Sequence, residues 1–424
     1  MAVFDKKRRD EMKWLEDLIK TSREKIREDA KKYCVTSTAL EHDFVSEKAR
    51  GALVFDVNGK MFVDFSSSLG WFNAGYNHPV IRNAIKYFLD NDYASMASQA
   101  WPNRFSVGLC KKLCEITPGN FPKKVYLDIG GSKAVEDSEK HVIEHRGPNQ
   151  ELFVFENAFH GRTFGALKFH YSKAVHRRDF IHDSERARAI PFPKLGHGCV
   201  MYQSTILHPR AEWRAVRPAY FLAELVQGEG GINVGCFTCI PRVIEEFRKE
   251  GALIAIDGIQ TDFMRTGKMF ACEWYGVEPD ILILGKSLCP GNHLSAVVVR
   301  ADLDFKEKAR NSLTGVSAEN CIAALAAIHV LENLDRTALL RKIHLLSTVV
   351  PEGLGMMRKI TFPNFAACKA FQARAYEKSP TGLITTPAGT NAIRIMPPVT
   401  IEKSELQLGL CILKEILQKS QHSS

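Results

Sequence analysis

Between about residues 80 and 300, two patterns alternate along the chain. One is a short run that is apolar almost throughout: VYLDI (125–129), LFVF (152–155), YFLAEL (220–225), LIAID (253–257), ILIL (281–284) and SAVVV (295–299). The other is a longer stretch with apolar residues three and four apart, as in SVGLCKKLCEI (106–116), SKAVEDSEKHVIEH (132–145) and IPRVIEEFRKEG (240–251). The first reads as strand and the second as helix. A strand shielded on one face alternates. A strand apolar on both faces needs cover on both, as helices give a parallel sheet. The pattern predicts an α/β fold: a large domain with a mostly parallel sheet covered by helices.

The flanks read differently. VFDVNGKMFVDF (54–65) predicts a hairpin, two alternating strands around an Asn-Gly turn. AENCIAALAAIHVLENL (318–334) predicts a long helix. Residues 335–424 carry fewer strands and more turns, as in a smaller α+β domain. The expected division is an N-terminal segment (1–65) joining the small domain, a large domain (66–317), a connecting helix (318–334) and the small domain (335–424). The first 33 residues are charged and helical, with Trp14, Leu15 and Ile19 at helical spacing. They lack the apolar stretch and small-residue cleavage site of a signal peptide, so an amphipathic helix is expected.

With 424 residues, 45% of them hydrophobic, the chain suffices for two unequal domains. It has no apolar run long enough to span a membrane. A net charge of +9 favours anions: nucleic acid, but equally phosphorylated cofactors and carboxylate substrates. The basic runs KKRR (6–9) and HRRDF (176–180) are short, with acids close by, and read as solvated surface. Nucleic-acid binding thus has charge alone behind it and is not expected. The 11 cysteines are an odd number without framework spacing. The CxxC of Cys236 and Cys239 lacks a second ligand pair for zinc, and Cys110 and Cys114 sit four apart on a helix. Reduced thiols, no metal and a cytoplasmic location are expected.

In open α/β sheets, ligands bind beyond the carboxyl ends of the strands. Past VYLDI lies Gly130-Gly131-Ser132, opening a helix where free N–H groups favour a phosphate, though a plain N-cap would look the same. Past LFVF lie Phe159, His160 and Arg162: an aromatic able to stack on a flat ring, and an arginine able to grip a carboxylate. YFLAEL carries Glu224 at its end, and past it VQGEGG (226–231) sets Glu229 among glycines, whose permissive backbone would let it swing. Asp257 ends LIAID, followed by Gln260; so buried a carboxylate needs a cationic partner, which a structural ion pair would also supply.

Lys286 ends the next strand. In an apolar cleft its charge is disfavoured, its pKa falls, and the neutral amine becomes a nucleophile able to form a Schiff base with an aldehyde. Alone, it would read equally as an anion-binding lysine. Together, a phosphate turn, a stacking ring, a buried acid and a strand-end lysine are what pyridoxal 5'-phosphate requires.

In that order these residues closely resemble the class III (ornithine/4-aminobutyrate-type) aminotransferases, of the pyridoxal-phosphate-dependent transferase fold type I. The resemblance runs from about residue 30 to 420. Its most specific part is LIAIDGIQTDFMRTGKMFACEWYGVEPDILILGKSL (253–288), with FNAGYNHP (72–79), FHGRTFG (159–165), AELVQGEGG (223–231) and NAIRIMPP (391–398). RADLDF (300–305) and the N-terminal half resemble archaeal members with ornithine aminotransferase or amino-acid racemase activity. The resemblance implies that Lys286 forms the Schiff base and then shuttles the proton, and that Asp257 keeps the pyridine nitrogen protonated. Gln260 would meet the phenolic oxygen and Phe159 stack on the ring beside His160. Gly130, Gly131 and Ser132 would hold the phosphate, joined by Thr314 reaching across a homodimer or larger assembly. Arg162 and Arg394 would bind substrate carboxylates, with Glu229 neutralising Arg394 when an amine must enter.

The chain departs from the family pattern at several points. Lys133 replaces an acid after the phosphate turn. Gly258 stands where a glutamate is usual, and Asp262 and Met264 replace glycines of a turn. CPGNHL (289–294) replaces a glycine run, and ungapped alignment puts Val316, not Thr314, at the phosphate threonine. The expected activity is transfer of an amino group from an ω-amino or basic amino acid, of ornithine, lysine or 4-aminobutyrate type, to 2-oxoglutarate. An amino-acid racemase on the same fold is the first alternative. A weakly active or inactive cofactor-binding paralogue is the second.

Overall fold

The computed structural model describes residues 12–35, 43–148, 150–196, 206, 213, 216–307 and 315–421. Its centre is a seven-stranded sheet. In spatial order the strands are Lys123–Asp128, Ser295–Arg300, Ile281–Leu284, Leu253–Asp257, Pro218–Ala223, Glu151–Phe155 and Arg188–Ile190. Leu253–Asp257 pairs in parallel with both neighbours, and its five residues are all buried. Helices cover the faces as the apolar pattern requires. In Cys239–Lys249, Cys239, Ile240, Val243, Ile244 and Phe247 form the buried stripe. Phe247 stacks on Phe221 and Trp213 with centroids 4.3 and 4.2 Å apart. Ala318–Glu332 packs against Pro79–Asp90 and Arg104–Ile116 and is apolar on most sides, which suits a helix with neighbours on several faces.

One strand breaks the parallel expectation. Ser295–Arg300 runs antiparallel to both Ile281–Leu284 and Lys123–Asp128. The connection over residues 285–294 holds only the short Lys286–Leu288 turn, too little chain for a crossover helix that would return it in parallel.

The hairpin forms as expected, Leu53–Asp56 with Met61–Asp64, and Asp56 Oδ1 accepts the turn amides of Asn58 (3.0 Å) and Lys60 (2.8 Å). Gly382–Ile384 adds in parallel to Met61–Asp64, so chain from near the C-terminus completes a sheet begun near the N-terminus. Glu352–Leu354, Met357–Thr361, Thr386–Ala388 and Ala392–Ile395 form an antiparallel sheet that the sequence pattern did not reveal. Strands of three to five residues are too short for a period to show. At the N-terminus, Lys13–Ile19 and Arg23–Tyr33 are helical, but Trp14 and Ile19 remain exposed and neither helix buries a residue. The KKRR run lies outside the described residues. No described helix is long and apolar enough to cross a membrane. The described cysteines form no disulfide, and no described group of residues forms a metal-binding cluster.

Arg265 ties three parts of the chain together. Wholly buried, it donates to the carbonyls of Met356 (3.3 Å) and Pro397 (2.6 Å) and to Asn73 Oδ1. Asn73 in turn donates to the carbonyls of Asp262 (3.2 Å) and Phe263 (2.8 Å). Burial pulls the guanidinium down to about 9, so this charge is held by neutral acceptors. Arg265→Met is expected to lower stability by about 2 kcal/mol or more, since each buried acceptor left unpaired costs about 1–3 kcal/mol. Unchanged urea-unfolding midpoints would contradict this.

Candidate active site

The strand ends converge on a cavity of about 320 Å³. Gly130, Gly131, Ser132, Phe159, His160, Glu224, Glu229, Asp257, Gln260 and Lys286 all line it. Lys286 follows the buried strand Ile281–Leu284 and an extended Gly285, and takes a left-handed backbone with φ +44°. Such a conformation is strained for a residue with a side chain and marks a position fixed by its surroundings. Ser287 next to it donates to the Gly70 carbonyl at 2.8 Å. Burial pulls the Lys286 amine down to about 8, against the raising influence of Glu229 and with Arg394 adding to the depression.

Asp257 closes its strand with both oxygens engaged. Oδ1 accepts from the Ile259 amide at 3.1 Å, and Oδ2 lies 2.8 Å from His160 Nδ1. A carboxylate accepts, so Nδ1 carries the proton of that contact. His160 Nε2 is buried with no hydrogen-bond partner among the described residues. Gln260 donates to the Leu69 carbonyl at 3.2 Å, while its Oε1 is likewise buried and unpartnered among the described residues.

The helix Gly131–Arg146 starts at the cavity with Gly130 as an extended N-cap and no capping side chain. Its first amides are thus free to meet an anion. An added Cβ at Gly131 would lie 2.9 Å from Ile259 Cδ1, so a side chain there would have to displace the end of Ile259. Ser132 Oγ accepts from the Arg162 amide at 3.2 Å, which leaves its own proton to donate. Lys133 turns away from the turn and pairs with Asp137 (2.5 Å) and Asp128 (3.5 Å).

Glu224 was noticed in the sequence as a strand-end acid without a role. Its oxygens accept from the amides of Phe159 (2.9 Å) and Gly228 (3.0 Å), so it clasps two loops of the site. Burial raises its carboxyl to about 7 despite nearby His160. Glu229 pairs with Arg394, which is itself buried on the strand Ala392–Ile395. Burial acts to raise the Glu229 carboxyl, but the charges of Arg394 and Lys286 prevail and hold it below its usual value. The glycines around Glu229 are tightly packed, contrary to the freedom expected of them. A Cβ at Gly228 would lie 1.8 Å from Gln260 Oε1, and one at Gly230 2.5 Å from the Asn157 carbonyl. Any swing of Glu229 falls to its side chain.

Among the described residues, two that were expected in the site, Arg162 and Arg394, do not line the cavity; Arg394 meets it only through Glu229. Arg162 is exposed, its guanidinium 5.6 Å from the Phe159 ring centroid. Thr314 lies outside the described residues. Val316, its alternative by alignment, is fully buried in this chain's core and has no hydroxyl. Trp71, Asn292 and His293 also line the cavity, and no strand-end rule would have found them. Trp71 Nε1 donates to the Cys289 carbonyl at 3.1 Å, and its ring lies 5.3 Å from that of His293. The signal was the CPGNHL stretch itself, noted as a departure but not as a wall.

The turn after Asp257 resolves its own oddities. Phe263 and Met264 have φ of +54° and +71°, so the turn does hold side chains in left-handed conformations. A Cβ at Gly258 would lie 1.7 Å from Asp262 Oδ2. The absent side chain at 258 is the space that the Asp262 carboxyl fills. Asp262 Oδ1 accepts from the Ala271 amide at 2.7 Å, and burial, aided by Asp257, pushes the acid well above the usual carboxylate range.

The Aminotransferase class-III family model matches residues 36–417, and the chain belongs to this family of pyridoxal-phosphate-dependent enzymes. It is 30% identical to a 2-aminoadipate transaminase of Pseudomonas putida over 408 residues, 90% of this chain and 97% of that protein. It is 28% identical to a leucine/methionine racemase of Thermococcus litoralis, over 86% of this chain and 88% of that protein. The ornithine aminotransferase of Toxoplasma gondii ME49 has the same fold, with a TM-score of 0.82 at 22% identity, covering 97% of this chain and 99% of that one. The fold is type I, and the cofactor is pyridoxal 5'-phosphate. The residues present fit that group: an uncapped helix start with two glycines, a buried acid, a lysine in the same cavity, and unpartnered polar atoms on Gln260 and His160.

The Gly258–Asp262 contact makes a prediction. Gly258→Ala is expected to lower stability by about 1–3 kcal/mol through overpacking. In an Asp262→Gly background the same change should be nearly neutral, giving a favourable coupling of about 1–2 kcal/mol across the cycle. Thermal unfolding of the four proteins measures it, and additive effects would refute the shared space.

Proposed function

We propose that the enzyme moves an amino group from an ω-amino or basic amino acid, of ornithine, lysine or 4-aminobutyrate type, to 2-oxoglutarate. The observation that carries this is one cavity wall bearing the depressed Lys286 amine, Asp257 and the Glu229 carboxylate paired to buried Arg394. When bound, the cofactor supplies an aldehyde carbon and a ring that accepts electrons from the substrate's amine-bearing carbon. Gly130, Gly131 and Ser132 hold its phosphate with backbone amides and one hydroxyl. Phe159 and Ile259 would bear on its ring, and Gln260, whose Oε1 is unpartnered among the described residues, would meet its oxygen. Asp257 holds a proton on the ring nitrogen, and His160 fixes the carboxylate that does so. Lys286 would hold the cofactor through its neutral Nζ, and Nζ is placed to carry a proton to and from the substrate carbon. Glu229 covers Arg394 when the entering end of the substrate is an amine, and uncovers it for a second carboxylate; Arg162 meets the other carboxylate at the mouth. The same reading gives a homodimer or larger assembly in the cytoplasm, with Thr314 or its neighbours reaching the other subunit's phosphate.

A racemase is the second reading, favoured by the similarity to the leucine/methionine racemase. Both reactions use Lys286; they differ in where the proton returns. Incubation with one enantiomer and no keto acid separates them. Racemisation would overturn the first reading, and product formed only with 2-oxoglutarate would overturn the second.

Two outcomes follow from the charges. The apoenzyme should take up cofactor faster as pH rises, with a midpoint near 8, because only the neutral Lys286 amine attacks. Lys286→Ala should abolish both covalent uptake, trapped by borohydride, and turnover. A pH-independent uptake rate would contradict the depressed amine. Glu229→Ala should shift kcat/KM toward α-amino dicarboxylates over ω-amino donors by about tenfold or more, roughly 1.4 kcal/mol in relative barrier. An unchanged ratio would remove Glu229 from donor choice.

A further inference from the structure

The loop bearing Phe159 is braced from behind by a segment the mechanism has not used. The amides of Tyr171 and Ser172 donate to the Ala158 carbonyl at 2.8 and 2.9 Å. His170, fully buried, lies edge-on to the Phe159 ring, with centroids 5.0 Å apart and planes at 68°. Its Nδ1 is 3.1 Å from the Gly161 carbonyl oxygen. A carbonyl oxygen only accepts, so Nδ1 carries the proton. Burial pulls the ring down to about 4, so at neutral pH Nε2 is a bare acceptor. Ser172 Oγ (3.1 Å) and His176 Nδ1 (3.0 Å) lie within reach to donate to it. The tautomer is thereby fixed from both ends. Gly161 has φ +132°, and an added Cβ there would lie 2.4 Å from Ser132 Oγ. The carbonyl His170 holds thus belongs to the residue wedged against the phosphate-binding serine.

We propose that His170 is a positioning residue: its Nδ1–H bond to Gly161 presses the 159–162 turn against Ser132 and so sets the Phe159 ring carried by the same turn. The proposal rests on the reading that Phe159 stacks on the cofactor and Ser132 binds its phosphate. It gives one segment, 170–172, control over two cofactor contacts at once.

Two substitutions separate the halves of the imidazole. In His170→Asn the amide nitrogen takes the place of Nδ1 and keeps the bond to Gly161. In His170→Gln it falls near Nε2 and loses that bond. The measurements on holoenzyme are the cofactor release rate, the visible circular dichroism of the bound chromophore, and KM against kcat. Release from the Gln variant should speed up by about tenfold, the loss of roughly one buried hydrogen bond, with a weakened dichroic band. The Asn variant and His176→Ala should stay within about threefold of wild type. Equal behaviour of Asn and Gln variants, whether both intact or both damaged, would overturn the proposal, since packing alone does not distinguish them. If instead Phe159→Ala keeps wild-type release and dichroism, the stacking reading fails, and the proposal falls with it for a separable reason.

Discussion

An ammonium at the end of a buried strand is the constraint around which this site is built. Lys286 emerges from four fully buried residues, and burial disfavours its charge. Two arrangements could satisfy such a group: a tight ion pair, which would keep it protonated, or a balance of more distant charges that lets it release a proton near neutrality. The chain has the second. Glu229 attracts the amine but is already committed to Arg394, whose own charge repels it. Asp257 is committed to His160 and the Ile259 amide. Glu224 is committed to two backbone amides and held up near neutrality by burial. Each acid is engaged elsewhere, so none claims the lysine.

The same economy of space explains the departures from the family pattern. A missing side chain at Gly258 and an added one at Asp262 look in sequence like two independent losses. In space they are one exchange, because the carboxyl of Asp262 occupies the position that a Cβ at 258 would need. Lys133 likewise does not oppose the phosphate turn as an intruding cation. It turns back along its helix to Asp137 and Asp128, two acids with no exposure to solvent. Met264 is the departure with the clearest strain, a left-handed backbone in a fully buried residue, and it is held by packing in the main core.

These exchanges also mark what a sequence can and cannot carry. Uniformly apolar runs located the central sheet, and the residues just past them named most of the cavity wall, because strand direction forces those ends together. Asp257 and Lys286 were legible for this reason: their strands are parallel neighbours. The antiparallel Ser295–Arg300 was not legible, since its apolar pattern matches that of its parallel neighbours and only the short connection betrays it. Trp71 and His293 come from loops far apart in the chain, and no local pattern records that they meet. The compensation between Gly258 and Asp262 was invisible because it is a relation through space between residues whose spacing is ordinary in any turn.

On the proposed reading, Glu229 and Arg394 bear on substrate choice through the same geometry. Arg394 is buried, and among the described residues its Nε has no hydrogen-bond partner and its ion-pair partner is Glu229. Removing that partner leaves a buried guanidinium uncompensated, at about 3–5 kcal/mol. The backbone on either side of Glu229 is closely packed, against Gln260 at Gly228 and Asn157 at Gly230, which favours release of the carboxylate by rotation of its own side chain. Such a rotation is unfavourable unless another carboxylate arrives to replace it. On the proposed reading, opening is therefore conditional on the substrate itself: a molecule that brings a carboxylate to Arg394 stabilises the open form, and one that brings an amine finds the arginine already covered. A switch of this kind needs no moving loop, only two acids that compete for one buried cation.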